Sequence, residues 1–194
     1  AGSGAYLVQA YWFSFHPILT IESLDVGALG ANGFYLYTSN VDPSYVSIND
    51  LELGAVGGTS LQLYNFDAVT LTNSNLGTPT GYGINMYGRS AVGSSSLENV
   101  QVDSADAYGI YFASANVEMN AVSASSSTYS GLYLSGNSAS VTNSTFTNNG
   151  YYGMQCSGTT INDCSGNDRT GNLMGEQSGC SEACTTAGGG GDTG

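Results

Sequence analysis

Four cysteines, fifteen carboxylates and fourteen tyrosines are the residues of this chain with chemistry to offer. The cysteines, Cys156, Cys164, Cys180 and Cys184, all fall in its last quarter, and the only histidine, His16, lies far from them in sequence. Zinc sites favour two short paired spacings or a cysteine pair with histidines, which this pattern lacks. The expectation is two disulfides and an oxidising compartment outside the cytoplasm. Four cysteines allow three pairings, and the spacing does not choose among them. The carboxylates matter as pairs, because glycosidic cleavage needs two of them about 5–10 Å apart. Asp25 with Glu52, Glu22 with Glu98, and Asp103 with Asp106 are the candidate pairs. None has a Lys, Arg or His beside it in sequence to organise it. They read as solvated surface groups, with structural calcium at Asp103 and Asp106, or at Asp25 and Glu52, as the alternative. No catalytic residue is assigned, and no cofactor is expected.

The tyrosines are ordered rather than scattered. Tyr35, Tyr37, Tyr64, Tyr87, Tyr111 and Tyr133 occupy outward places beside short alternating apolar runs, and Tyr82, Tyr108 and Tyr152 each precede a glycine. Stacked aromatic neighbours add about 0.5–1.5 kcal/mol beyond area burial, while an exposed aromatic stripe marks an interaction surface. The expectation is an interface or glycan-binding face. Around it the chain carries a net charge of −13, with two arginines and no lysine. That balance repels nucleic acid and anionic membrane surfaces. No apolar run approaches the length of about 20 residues that crosses a bilayer.

What positions these residues is a repeat of about 22 residues. One motif, apolar at its first, fourth and sixth places with substitutions, begins at Ile21, Ile48, Leu71, Leu97, Met119, Val141 and Ile161. Its third place is Ser23, Asp50, Asn73, Asn99, Ala121, Asn143 and Asp163. Asn and Asp tolerate positive φ, so this place suits a tight bend in each coil. Asn73, Asn99 and Asn143 are expected to stack there as a ladder. A second motif, Gly-apolar-x-apolar, follows about a dozen residues later as GFYL, GINM, GIYF, GLYL and GMQC, with SLQL at 60–63 lacking the glycine. It turns Phe34, Leu36, Ile84, Met86, Ile110, Phe112, Leu132 and Leu134 inward. Alternation over four or five residues signals strands, and neither strand buries its apolar side alone. Stacking at about 4.8 Å per coil does. The chain is thus read as all-β, a right-handed parallel β-helix of about seven coils.

In this repeat the chain resembles the pectate-lyase-like right-handed parallel β-helix superfamily over about residues 20–175. That resemblance implies carbohydrate chemistry in many members, but their motifs are not here. Arg89 and Arg169 stand in YGRSA and NDRTG rather than in R-x-P-x-x-R, there is no G-H-G, and Asp42-Pro43-Ser44-Tyr45 keeps only the first half of D-P-H-D.

The ends complete the reading. Residues 1–19 are an aromatic cap or docking segment, with Tyr11, Trp12, Phe13 and Phe15 as the intermolecular candidates. Residues 20–175 form the β-helix, 176–187 a cysteine-pinned cap, and 188–194 a glycine-rich tail of linker composition. Without a leader-like run, Ala1 is read as the start of a mature or trimmed chain. The function expected is a non-catalytic structural β-helix, secreted or on the cell surface, that associates with itself, even into fibres. The alternatives are an adhesin that binds a glycan or receptor through its tyrosines, and a polysaccharide lyase or hydrolase.

Overall fold

The short strands bury their alternate residues only by stacking, and the fold follows from that. A computed structural model describes residues 5–13, 17–39, 43–88 and 93–180, apart from the side chains of Ala115 and Asn137. Its strands are β1 (Tyr6–Trp12), β2 (Ile18–Val26), β3 (Asn32–Thr38), β4 (Tyr45–Leu53), β5 (Ala55–Val56), β6 (Leu61–Tyr64), β7 (Ala68–Asn75) and β8 (Thr78–Pro79). Then come β9 (Ile84–Tyr87), β10 (Ser94–Asp103), β11 (Ile110–Ser125), β12 (Leu132–Thr142), β13 (Tyr152–Ser157), β14 (Thr160–Asp163) and β15 (Gly175–Ser178). All pairings are parallel between successive coils, which makes the chain a β-solenoid of about seven coils.

Two faces result. The first stacks β1, β3, β6, β9, the start of β11, the start of β12, β13 and β15. The second stacks β2, β4, β7, β10, the rest of β11, the rest of β12 and β14. β11 and β12 turn the corner without a break, which joins both faces into one sheet. Between them lies the core. Phe34, Leu36, Leu61, Ile84, Met86, Ile110, Phe112, Leu132 and Leu134 from the first face meet Ile48, Leu51, Leu71, Val100, Val122 and Val141 from the second, all at 0–2% exposure.

The bend inside the second-face motif carries the expected backbone. Ser23, Asp50, Asn73, Asn99, Ala121 and Asn143 all have φ between 48° and 57°. The seventh place does not. Ile161 pairs with Ala139 rather than with Val141, and β14 then slips against β12, so that Asp163 faces Ser140. The left-handed residue of the last coil is therefore Gly166 (φ 69°) and not Asp163. A β-carbon on Gly166 would meet Asn143 Oδ1 at 2.5 Å, so this glycine stacks directly beneath the asparagine bend.

The asparagine ladder is real but interrupted. Asn99 Nδ2 donates to Asn73 Oδ1 (3.0 Å), and Asn73 Nδ2 to Asn49 Oδ1 (3.1 Å). Ala121 breaks the column, and Asn143 instead donates to Asn120 Oδ1 (2.9 Å). Inward serines replace apolar residues at the bend for a stated reason. Ser74 Oγ accepts the Leu51 N–H and Ser144 Oγ accepts the Val122 N–H, so each neighbouring left-handed bend keeps its buried donor paired. A second ladder went unseen in the sequence at the opposite turn. Asn149, 2% exposed, accepts the Ser127 N–H and donates to Asn172 Oδ1.

The motif glycines answer to space rather than to φ. A β-carbon on Gly33 would lie 2.2 Å from the Ser60 carbonyl oxygen, and one on Gly83 2.2 Å from Val102 Cγ1. The coils approach too closely at this corner for a side chain.

Candidate functional site

On the first face, the residues between the buried positions point outward, and there the tyrosines converge. In β3 and β6, Tyr37 pairs with Tyr64, which pairs with Tyr87 of β9. One row over, Tyr111 of β11 pairs with Tyr133 of β12. The stripe changes rows between Tyr87 and Tyr111, whose ring centroids are still 5.2 Å apart. Five of the six candidate tyrosines therefore belong to one connected stack, and Tyr37 joins it through Tyr11 (5.9 Å). Tyr35–Tyr64 (5.4 Å), Tyr64–Tyr87 (5.5 Å, parallel) and Tyr111–Tyr133 (4.7 Å, parallel) are its other steps.

A second column runs beside it at the turn: Tyr82, Tyr108, Tyr129 and Tyr151, with centroids 5.3–6.1 Å apart. Tyr108 also meets Tyr111 at 5.8 Å and Tyr133 at 5.5 Å, so stripe and column form one aromatic surface. The sequence pointed to Tyr82 and Tyr108 but not to Tyr129 and Tyr151, which precede their motif glycines by two residues rather than one. At the N-terminal end Tyr11 joins through Tyr35 (5.5 Å) and stacks on Phe13 (6.2 Å). Trp12 departs from its neighbours: it turns inward, edge-on to the buried Phe66 at 6.1 Å. Phe15, His16 and Arg89 lie outside the described residues.

Outward places on this face, from β1 to β13, carry Tyr, Gln, Asn, Ser and Ala, and no carboxylate. Gln9 donates to the Tyr11 hydroxyl and Asn85 to that of Tyr64. Burial pushes the phenols of Tyr35, Tyr64, Tyr82, Tyr108 and Tyr111 above their ordinary value, and the neighbouring phenols add to it. For Tyr111 a hydrogen bond with Tyr87 is the second cause. The sign follows: the folded state holds these protons more tightly than the unfolded chain. Their stabilisation is complete below the unfolded value of about 10 and is lost as pH rises through the higher folded values. Tyrosinate absorbance at 295 nm should therefore appear at higher pH in native protein than in urea-unfolded protein. Coincident titration curves would contradict the packed arrangement.

The carboxylate pairs fare differently. Asp25 and Glu52 are register partners in adjacent coils, and Glu52 Oε1 accepts from Asn75 Nδ2 (2.9 Å). Glu22 and Glu98 share a column but stand three rungs apart, with Asn49 and Thr72 between them. At about 4.8 Å per rung they do not meet. Asp103 accepts from Gln101 (2.6 Å) and Ser125 (3.5 Å), and Asp106 is exposed. Instead, Glu98 and Glu118 line one shallow depression on the second face. The sequence did not pair them, because their approach is a diagonal between adjacent strands.

At the C-terminal end Cys156 and Cys180 form a disulfide, joining β13 to the residues after β15. Cys164 is disulfide-bonded as well, and Cys184 lies outside the described residues. Beside them Arg169, only 4% exposed, donates from Nη1 to Gln177 Oε1 at 2.7 Å and holds Nη2 4.0 Å from Glu176. Burial lowers its pKa and Glu176 opposes that shift. No helix of the described residues is long and apolar enough to cross a membrane.

The N-terminal end is built differently. Residues Tyr6–Trp12, expected to cap or dock, form β1 and pair with β3 as the outermost rung. β2 is the outermost rung of the other face. Its inward residues Leu19, Ile21, Leu24 and Val26 are only half-buried, whereas their partners Val46, Ile48, Leu51 and Leu53 are 0–2% exposed.

A family described as a right-handed β-helix region matches residues 82–185, more than half of the chain. No curated protein and no solved structure matches it.

Proposed function

The chain belongs to the right-handed β-helix family, and from that premise we propose that it is a non-catalytic structural module, working outside the cytoplasm, that associates with itself through its N-terminal coil. One observation carries this reading. Among the described residues, the first coil presents two strand edges, β1 and β2, each paired on one side only, above inward aliphatic residues whose counterparts in the next coil are buried. Exposed edges of that kind are templates for another strand. Covering Leu19, Ile21, Leu24 and Val26 would add several kcal/mol, at about 25 cal/mol per Å² of apolar area. The disulfide accords with an oxidising compartment.

Sedimentation velocity over a range of concentrations tests it. The full chain should exceed the monomer mass, and Leu19→Lys/Ile21→Lys should reduce that assembly while keeping a cooperative melt. Ile18→Lys, at a residue 76% exposed on the same edge, should weaken it without touching the core. A full chain that stays monomeric at high concentration, or variants with unchanged mass, would end this reading.

A further inference from the structure

We propose that the tyrosine face is a second, lateral interface on which another copy of this chain docks face to face. This rests on observations independent of the open N-terminal coil.

Charge is the first. A protein of net charge −13 repels its own copies, and like charges placed opposite one another across an interface cost several kcal/mol. From β1 to β13 the outward places of this face are free of carboxylates, so two copies meeting here bring none into opposition. Glu176 stands in β15, the next strand of the stack, 4.0 Å from the Arg169 guanidinium. The second face, by contrast, carries Glu22, Asp25, Glu52, Glu98 and Glu118.

Composition and size agree. Interface centres are rich in Tyr and depleted of charge, with polar groups at the rim. Here hydroxyls and amides surround stacked rings. From β1 to β13 there are six strand spacings of about 4.8 Å, a length of roughly 29 Å, and four residues of strand span about 13 Å. With about 10 Å more for the turn column, the patch covers on the order of 660 Å². That falls within the range of about 600–1,000 Å² that each partner contributes to a standard specific interface. The apolar strip continues past Tyr151 to Met174, whose N–H it accepts, and to the exposed Leu173.

Shape selects a copy as the occupant. The rings repeat at the rung spacing, so an identical face offers furrows with the same repeat. A patch that meets itself is isologous and closes as a two-fold pair, so this interface ends at a dimer rather than a filament.

The test separates the two interfaces. Leu19→Lys/Ile21→Lys, which blocks the coil end, should sediment as a dimer that grows no further. Adding Tyr87→Arg/Tyr129→Arg, both at exposed rings, should halve that mass to a monomer that still melts cooperatively. Tyr87→Phe/Tyr129→Phe should stay dimeric. If the end-blocked protein is already monomeric at high concentration, the lateral interface is overturned even where full-length assembly persists. If that monomer is instead retarded in a gel containing a neutral polysaccharide, and the arginine variant is not, the face binds glycan. If the full chain and the end-blocked protein are identical dimers, the lateral interface stands and the coil-end reading fails.

Discussion

Replacing Ile110 with Asp should leave the chain without a cooperative unfolding transition. Ile110 is completely buried, pairing with Ile84 above and Leu132 below in the middle of the first-face stack. A carboxyl there has an aliphatic side chain on either side of it in the stack. Burying a polar group without a partner costs several kcal/mol, and an ionised one more. Whole domains have only about 5–15 kcal/mol to lose. Position compounds the effect, because a solenoid holds together through contacts between neighbouring coils, and a defect at its centre severs both halves. Thr70→Asp is the control. It adds the same charge at an exposed outward place on β7 and should shift stability by less than about 0.5 kcal/mol. Circular dichroism melts of both variants decide the matter, and a sharp native-like transition for Ile110→Asp would contradict the stacked core.

Removing the Cys156–Cys180 bridge, as Cys156→Ala/Cys180→Ala, should cost about 3.5 kcal/mol and lower Tm by roughly 7–14 °C. The estimate comes from closing a loop of sequence separation 24. The loss should be local. Among the described residues β15 has only β13 as a partner, and the bridge ties the chain after β15 back to that strand. Hydrogen exchange should thus accelerate first in β13 and β15, while β4 and β7 keep their protection. An unchanged Tm with unchanged exchange in β15 would show that coil stacking alone holds this end.

The residue pattern by itself determined the architecture. Apolar alternation across the repeat placed Phe34, Leu36, Ile110 and Leu132 inward and Tyr35, Tyr111 and Tyr133 outward, and those positions are so occupied. It could do this because a strand's period of two is local: neighbours along the chain point to opposite sides whatever lies above or below. It also located the bends at Ser23, Asp50, Asn73, Asn99, Ala121 and Asn143, since tolerance of positive φ is a property of the residue itself or of its place in a repeat.

What depends on register between coils was decided only in three dimensions. Loop lengths vary from coil to coil, so spacing could not show that β14 slips and that Gly166, not Asp163, makes the last bend. The same ambiguity hid the diagonal approach of Glu98 and Glu118 and the Asn149–Asn172 ladder. The tyrosines show the division most plainly. Their outward direction was legible one strand at a time, but their fusion into one surface was not. That required the stripe to cross from one row to the next between Tyr87 and Tyr111, and it required the turn column to fall beside it. Side-chain direction is set within a strand, whereas contact between side chains is set by which strands the fold makes neighbours.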